Sequence, residues 1–281
     1  MEQQLVSIVI PTRNSSKTIE RCITSVQEQS YRNTETIIVD STSSDDTASI
    51  SERMGCKVIF TKWKTLGARY RGFKASTGNF ILMLDSDQIL EKSAIERCVR
   101  LLLDQKYDML CLEEMAYRSK TFIEKLYQAD RRLVHHEFDI QKHPLYGSLQ
   151  ARFYNREILK KAYKNIPETL YPFVLLPEDS ILYYEAWKHS TNVGMVPNAI
   201  YHIEIKSLNE FWEKNVRYGK SAKDLLESGY YTELLQKEIR IRKTGSKRLS
   251  KDKILSLLLI LLKAPPYYYG LFWKNTKRRL I

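Results

Sequence analysis

Phe80–Asp87 reads FILMLDSD. Five apolar residues in a row, followed by two acids one serine apart, fit a short strand covered on both faces whose carboxyl end opens onto a polar loop. Upstream, Leu5–Ile10 (LVSIVI) is a β-branched run stopped by Pro11, and Ser16–Gln29 carries Ile19, Cys22, Ile23 and Val26 at helical spacing. The pattern repeats with Thr36–Val39 as a strand and a helix near Thr47–Met54, then Lys57–Phe60 as a strand and Lys64–Ser76 as a helix. Strands alternating with helices predict a mainly parallel α/β sheet with right-handed crossovers and helices on both faces. Ligands on such sheets bind beyond the carboxyl ends of the strands.

Downstream the rhythm loosens. Helices are expected over Ser93–Gln105, Ser119–Glu137, Asp179–His189 and Leu208–Glu227, with strands at Met109–Glu113, Ala151–Tyr154 and Val193–Val196. The sequence contains no internal repeat.

Three polar clusters follow predicted strands: Pro11-Thr12-Arg13-Asn14, Asp40 through Thr47 (DSTSSDDT), and Asp85-Ser86-Asp87. An Asp-rich loop after a strand is more often a turn or a helix cap than a site. Order, spacing and shared position make the three together far more specific. In these segments, SIVIPTRN, IIVDSTSSDDT and LGARYRGFKASTGNFILMLDSD, the chain resembles the inverting family-2 glycosyltransferases of the GT-A fold, over roughly Ser7 to Lys220.

That resemblance implies a metal-dependent enzyme that transfers a sugar from a nucleotide-diphosphate donor, a UDP-sugar first, to an acceptor hydroxyl or phosphate. Pro11, Thr12, Arg13, Asn14, Asp40 and Thr42 would line the nucleotide, Asp40 facing the base. Many family members carry paired acids where this chain has Asp40-Ser41, which leaves the choice of base open. Gly67, Ala68, Arg69 and Gly72 suit a helix start packed close to the ligand, with Arg69 available to a phosphate or the base edge. Asp85, Ser86 and Asp87 correspond to the DxD motif. A departing diphosphate leaves negative charge that Mn²⁺ or Mg²⁺ between hard carboxylate ligands can neutralise, with Asp87 the nearer ligand.

In the second half, Pro177-Glu178-Asp179 precedes an apolar-periodic helix, so both acids also read as simple helix N-terminal charges. Following the stretch YGSLQARFYNREIL, they resemble the family's ED motif, which makes Asp179 the catalytic base and Glu178 a donor-side neighbour. His202, at a strand exit, is a third metal ligand, a diphosphate contact or a structural histidine. His135-His136 reads mainly as structural. Lys214–Lys220 (KNVRYGK) loosely resembles the post-catalytic motif, with Arg217 contacting donor or acceptor; Lys214 and Tyr218 depart from the QxxRW form and favour transfer of a single sugar.

The chain has 281 residues, 43% hydrophobic and 28% charged, ample for a buried core and typical of a globular protein. Its net charge of +12 first suggests nucleic acid, but positions 237–281 hold thirteen Lys/Arg against two acids, so the tail supplies +11 and the body about +1. A neutral body argues against a nucleic-acid partner. The four cysteines, Cys22, Cys56, Cys98 and Cys111, are widely spaced and read as buried small hydrophobes. With no basic, apolar leader at Met1, a cytoplasmic setting is expected.

Ile254–Leu262 (ILSLLLILL) is a short apolar helix that Pro265-Pro266 should break before it could span a bilayer. With flanking Lys247, Arg248, Lys251, Lys253, Lys274, Lys277, Arg278 and Arg279, it predicts anchoring in an anionic leaflet; packing on the domain or on a second subunit, as in a homodimer, and a true span are the competing readings. The expected organisation is a catalytic domain over 1–236, its donor half 1–115 and acceptor half 116–236, followed by a basic, apolar helical extension over 237–281. A membrane-facing enzyme suggests a polyprenyl- or other lipid-linked glycan as acceptor. Two other classes remain in view. A nucleotidylyltransferase would need a glycine-rich loop after the first strand, and Pro11–Asn14 has no glycine. A non-catalytic homologue would be expected to have lost Asp85, Asp87 or Asp179.

Overall fold

The computed structural model describes residues 4–136, 149–235 and 250–273. The predicted alternation is present: β1 (Val6–Thr12), α1 (Ile19–Gln27), β2 (Thr34–Asp40), α2 (Thr47–Arg53), β3 (Lys57–Phe60), α3 (Thr65–Ala75) and β4 (Phe80–Met83). Then come β5 (Gln88–Leu90), α4 (Ala94–Asp104), β6 (Met109–Ala116), α5 (Phe122–His136), β7 (Ala151–Asn155), α6 (Arg156–Asn165), α7 (Glu178–Trp187), β8 (Val193–His202) and α8 (Leu208–Ser228). The last described helix is α9 (Lys251–Leu271).

Eight strands form one sheet in the order β3-β2-β1-β4-β7-β6-β8-β5. The first half is parallel: β1 pairs with β2 and β4, and β2 with β3. Beyond β4 the sheet is mixed, because β7 runs antiparallel to β4 and β6 while β6 and β8 run parallel. This reversal brings the start of β7 beside the end of β4, where the acids of FILMLDSD lie.

Alternate residues of the strands feed two cores, as the two-residue period requires. Val9, Ile37, Val39, Ile81 and Met83 pack with α3, α6 and α7. Ile8, Ile10, Ile38, Leu82 and Leu84 pack with α1 and α4. Gly72 permits α3 to lie close on the sheet: a Cβ there would sit 2.2 Å from Val9 Cγ1. Gly67 likewise faces the Tyr171 carbonyl, at 2.4 Å from a built Cβ. These glycines therefore serve chain-to-chain packing, where the sequence had suggested close approach to a ligand. Cys22, Cys98 and Cys111 are buried as expected, and Cys56 is half-buried.

A third, smaller cluster joins Ile123, Leu126 and Tyr127 of α5, Phe211 of α8 and Leu259 of α9. Here the structure corrects the reading of the tail. Pro265 and Pro266 lie inside one continuous 21-residue helix and do not divide it. The helix is held on both sides of the prolines, by Leu259 in the cluster and by Gly270 against α8, where a Cβ would lie 2.1 Å from the Val216 carbonyl. Packing overrides the local preference against proline. The expected domain boundary at 236/237, and the basic residues Lys247, Arg248, Lys274, Lys277, Arg278 and Arg279, lie outside the described residues, as do the side chains of His135 and His136.

Candidate active site

The three polar clusters meet at the carboxyl edge of the parallel strands. Thr12 Oγ1 donates to Asp40 Oδ2 at 2.9 Å, and Ser43 donates to Asp40 through its backbone N–H (2.7 Å) and its hydroxyl (2.6 Å). Asp40 is buried. Asn14 and Thr42 adopt left-handed backbone conformations, φ +51° and +56°, the second unfavourable for a β-branched residue. Asn14 Oδ1 accepts from the Ser44 N–H at 2.8 Å, and its own N–H donates to Ser43 Oγ at 2.8 Å. Ser15 links all three clusters, its N–H on Thr47 Oγ1 (2.7 Å) and its hydroxyl 2.8 Å from Ser86 Oγ. Burial would raise the Asp45 pKa, but hydrogen bonds from Thr47 and Ser16 outweigh it and hold the carboxyl down at about 2. Pro11 and Ala68 are buried beneath these loops, while Arg13 is exposed beside them.

The centre of the site is an arginine–carboxylate lattice. Arg69 is fully buried, and its Nη2 lies 2.6 Å from Asp85 Oδ1, 3.0 Å from Asp179 Oδ1 and 3.5 Å from Glu178 Oε1. Arg152, from β7, spans the same pair on their other oxygens: Nη1 to Asp85 Oδ2 at 3.1 Å and Nη2 to Asp179 Oδ2 at 3.2 Å. Its Nε reaches Glu114 Oε1 at 2.8 Å. Arg131 of α5 continues the lattice, pairing with Glu114 and, at 2.6 Å, with Glu204 Oε1.

Charge balance explains the protonation directions. Burial would lower the Arg69 pKa, but Asp179, Asp85 and Glu178 raise it above the ordinary range. Burial would raise that of Asp85, yet Arg152 and Arg69 hold it below. Glu178 goes the other way: burial, then repulsion from Asp179, push it up to about 8 against the pull of Arg69. Adjacent acids are thus separated in character, Glu178 keeping its proton at neutral pH while Asp179 lies between two guanidinium groups. Glu178 Oε2 and Arg69 Nε and Nη1 are buried without a hydrogen-bond partner.

Asp87 faces elsewhere. His202 closes β8, where it pairs with Gln88 of β5, and its Nε2 lies 3.5 Å from Asp87 Oδ1 while Nδ1 lies 3.6 Å from Glu204 Oε1. Lys214 and Tyr218 of α8 also belong to this end. Burial would lower the Lys214 pKa, but Tyr218 and Asp87 raise it. α8 further fixes the approach to the Glu178-Asp179 pair, since Ser221 Oγ accepts from the Leu175 and Leu176 N–H groups at 3.1 and 3.0 Å.

The predicted residues therefore separate into two groups. Asp85, Arg69, Glu178 and Asp179 come together, and Asp87 meets His202. Two of these residues have surroundings that spacing did not show. Asp85, read as a metal ligand, has both oxygens engaged by arginines. Arg217, read as a donor or acceptor contact, has a side chain 59% exposed and lies near Glu213, while Lys214 and Tyr218 approach Asp87 instead. Among the described residues no group of three His, Cys, Asp or Glu side chains converges as a cation cage. Asp87 and His202, one carboxylate and one imidazole, would suit a divalent transition ion such as Mn²⁺ whose shell is completed by water and phosphate oxygens.

Arg152, Glu114, Arg131 and Glu204 were not singled out from the sequence. The available signal was charge inside strand-like apolar runs: Arg152 within Ala151–Tyr154 and Glu114 just past Met109–Glu113. Buried charges of this kind persist when paired.

Comparisons with known proteins agree with the fold. The profile of Glycosyl transferase family 2 matches residues 7–171. EpsH of Bacillus subtilis, a glycosyltransferase by name, is 26% identical over 229 residues, covering 77% of this chain and 66% of its own length. The Escherichia coli UDP-Glc:alpha-D-GlcNAc-diphosphoundecaprenol beta-1,3-glucosyltransferase WfgD is 34% identical over 109 residues, 37% of this chain and 43% of its own. The chain thus spans about two thirds of one relative and less than half of the other. Glucosyl-3-phosphoglycerate synthase from Mycobacterium tuberculosis, crystallised with Mn²⁺, UDP and glucosyl-3-phosphoglycerate, shares the fold with a TM-score of 0.55 at 20% identity, covering 80% of this chain and 79% of that one.

Proposed function

Because the chain belongs to Glycosyl transferase family 2, and is thereby a transferase of the glycosyltransferase class, we propose that it transfers a sugar from a UDP-sugar to a lipid-linked glycan with inversion, using Asp179 as base. The observation that carries this reading is the convergence of the nucleotide-side loops, the Asp87–His202 pair and Asp179 on one edge of the sheet. The acceptor oxygen attacks the anomeric carbon, Asp179 accepts its proton, and the nucleoside diphosphate departs with the electrons of the broken C–O bond. A carboxylate offers about four acceptor positions, so Asp179 retains capacity for a hydroxyl beside its two arginines.

Thr12, Asn14, Asp40 and Thr42 shape the nucleotide pocket on this reading, and Lys214 adds positive charge at the diphosphate end. Mn²⁺ or Mg²⁺ held by Asp87 and His202 would supply charge neutralisation for the leaving diphosphate. The Mn²⁺ and UDP named for the mycobacterial synthase support that choice, and the diphosphoundecaprenol acceptor in the name of WfgD supports a lipid-linked one. Residues 1–115 form the donor half, 116–236 the acceptor half, and 237–281 an extension at the cytoplasmic membrane face. A thermal-shift screen of nucleoside diphosphates, nucleoside triphosphates and nucleotide sugars with Mn²⁺ tests the class and the donor together. Stabilisation by UDP-sugars is expected, and stabilisation by nucleoside triphosphates alone would favour a nucleotidylyltransferase.

A further inference from the structure

The last helix is apolar on its packed side and on its outer side alike. At about 100° per residue, Ile254, Leu257, Leu261, Pro265, Tyr268 and Phe272 fall within a sector of about 80° on one side, a line about 27 Å long. All six are exposed, Leu261 by 68% and Phe272 by 73%, and no charged residue interrupts them. The opposite side carries the polar groups and holds the protein. Asp252 pairs with Arg132 at 2.6 Å, Ser256 Oγ donates to Asp130 Oδ1 at 2.5 Å, and Lys263 Nζ lies 4.6 Å from the centre of the Tyr127 ring. Further along that side Leu259 is buried, and a Cβ on Gly219 of α8 would lie 1.9 Å from the Tyr267 carbonyl. A helix bordering water turns its apolar stripe inward. On α9 Leu259 is buried, with Leu255 and Leu258 partly so, and yet a second apolar line faces out.

We infer that α9 is a seat for a lipid bilayer, lying in the plane of an anionic leaflet with its outer stripe in the acyl boundary while its inner side stays on α5 and α8. By length and composition alone α9 could cross a membrane. Its attachments argue against crossing, because a spanning helix would have to leave α5 and α8 and carry Asp252 and Lys263 into lipid. Charge identifies the occupant. The stripe begins after exposed Lys251 and ends before Lys274, Lys277, Arg278 and Arg279, in a segment bearing thirteen Lys/Arg over residues 237–281. Near the stripe's end Lys220 lies 4.5 Å from the Trp273 ring centre. A segment of this charge attracts anionic headgroups and repels the same segment of a second copy. Tyr268, Tyr269 and Trp273 supply the aromatic groups that favour the headgroup layer.

The same α5 and α8 carry Arg131, Lys214 and Ser221 toward the site, so a bilayer on α9 would set the direction from which a lipid-linked acceptor arrives. The seat extends the acceptor reading above and depends on it only for that consequence. Its test reads vesicle binding, so either can fail alone. The full chain, the double variant Leu257→Glu/Leu261→Glu and the control Leu103→Glu, which alters an equally exposed leucine on α4, are sedimented with phosphatidylcholine vesicles with and without phosphatidylglycerol. Wild type and control should co-sediment with the anionic vesicles and release at alkaline pH. The double variant should keep its melting profile and lose binding by more than about tenfold. Undiminished binding by the double variant, or wild type resisting alkaline extraction, overturns the proposal. A wild-type dimer in solution that the double variant abolishes, with no vesicle binding, overturns it in favour of a second copy.

Discussion

Glu178→Gln isolates the unusual proton of the site. The folded protein holds the Glu178 proton up to about pH 8, because burial and Asp179 disfavour its charge. An unfolded glutamate releases it near pH ~4.3. A raised folded-state pKa makes a contribution that is complete below the unfolded value and is lost as pH rises through the folded one. At pH ~6 the folded state therefore binds close to one more proton than the unfolded state and at pH ~8 about half of one, so stability falls by at most about 1.4 kcal/mol per pH unit from this group, about 2 kcal/mol across the window. Glutamine keeps the shape and the carbonyl near Arg69, but does not titrate. Denaturant unfolding of both proteins at the two pH values gives a difference of differences in which every other titrating group cancels. The variant should gain about 2 kcal/mol on wild type between the lower and the higher pH. Equal pH dependence within ~0.5 kcal/mol would refute the protonated buried acid.

Asp179→Asn removes the neighbour that helps hold that proton, so Glu178 should ionise at lower pH and the wild-type pH dependence should shrink; a melt series at several pH values checks it. Asp85→Asn should act mainly on stability, losing about 2–4 kcal/mol in urea unfolding because Arg69 and Arg152 keep fewer anions. Asp87→Asn and His202→Ala should instead leave unfolding within about 1 kcal/mol and weaken Mn²⁺-dependent UDP binding on the order of tenfold or more, read by calorimetry. Gly219→Ala places a Cβ against the backbone of α9 and should cost about 1–3 kcal/mol, with faster proteolysis near residue 250.

Much of the fold was legible because FILML and its upstream counterparts are short, apolar and separated by helical periods, and a parallel sheet leaves little else for such strands to do. The carboxyl-edge position of Asp85, Asp87 and Asp40 followed from that topology. β5 was not legible, since Gln88–Leu90 is only three residues and becomes a strand by pairing with β8. Nor was the continuity of α9, where contacts on both sides of Pro265-Pro266 outweigh a local rule. The pairing of Asp85 with two arginines escaped as well. It depends on Arg152, delivered from β7 by an antiparallel crossing, and on the buried side of Arg69, and linear spacing carries neither.

The central claim is that Asp179 takes the acceptor's proton while the donor is held elsewhere. Donor binding and transfer measured on the same Asp179→Asn preparation, with Mn²⁺ present, test it most directly. The account predicts a UDP-sugar dissociation constant within about threefold of wild type and a transfer rate lower by about 10²–10⁴-fold. Transfer at close to the wild-type rate by a variant that binds donor normally would contradict it.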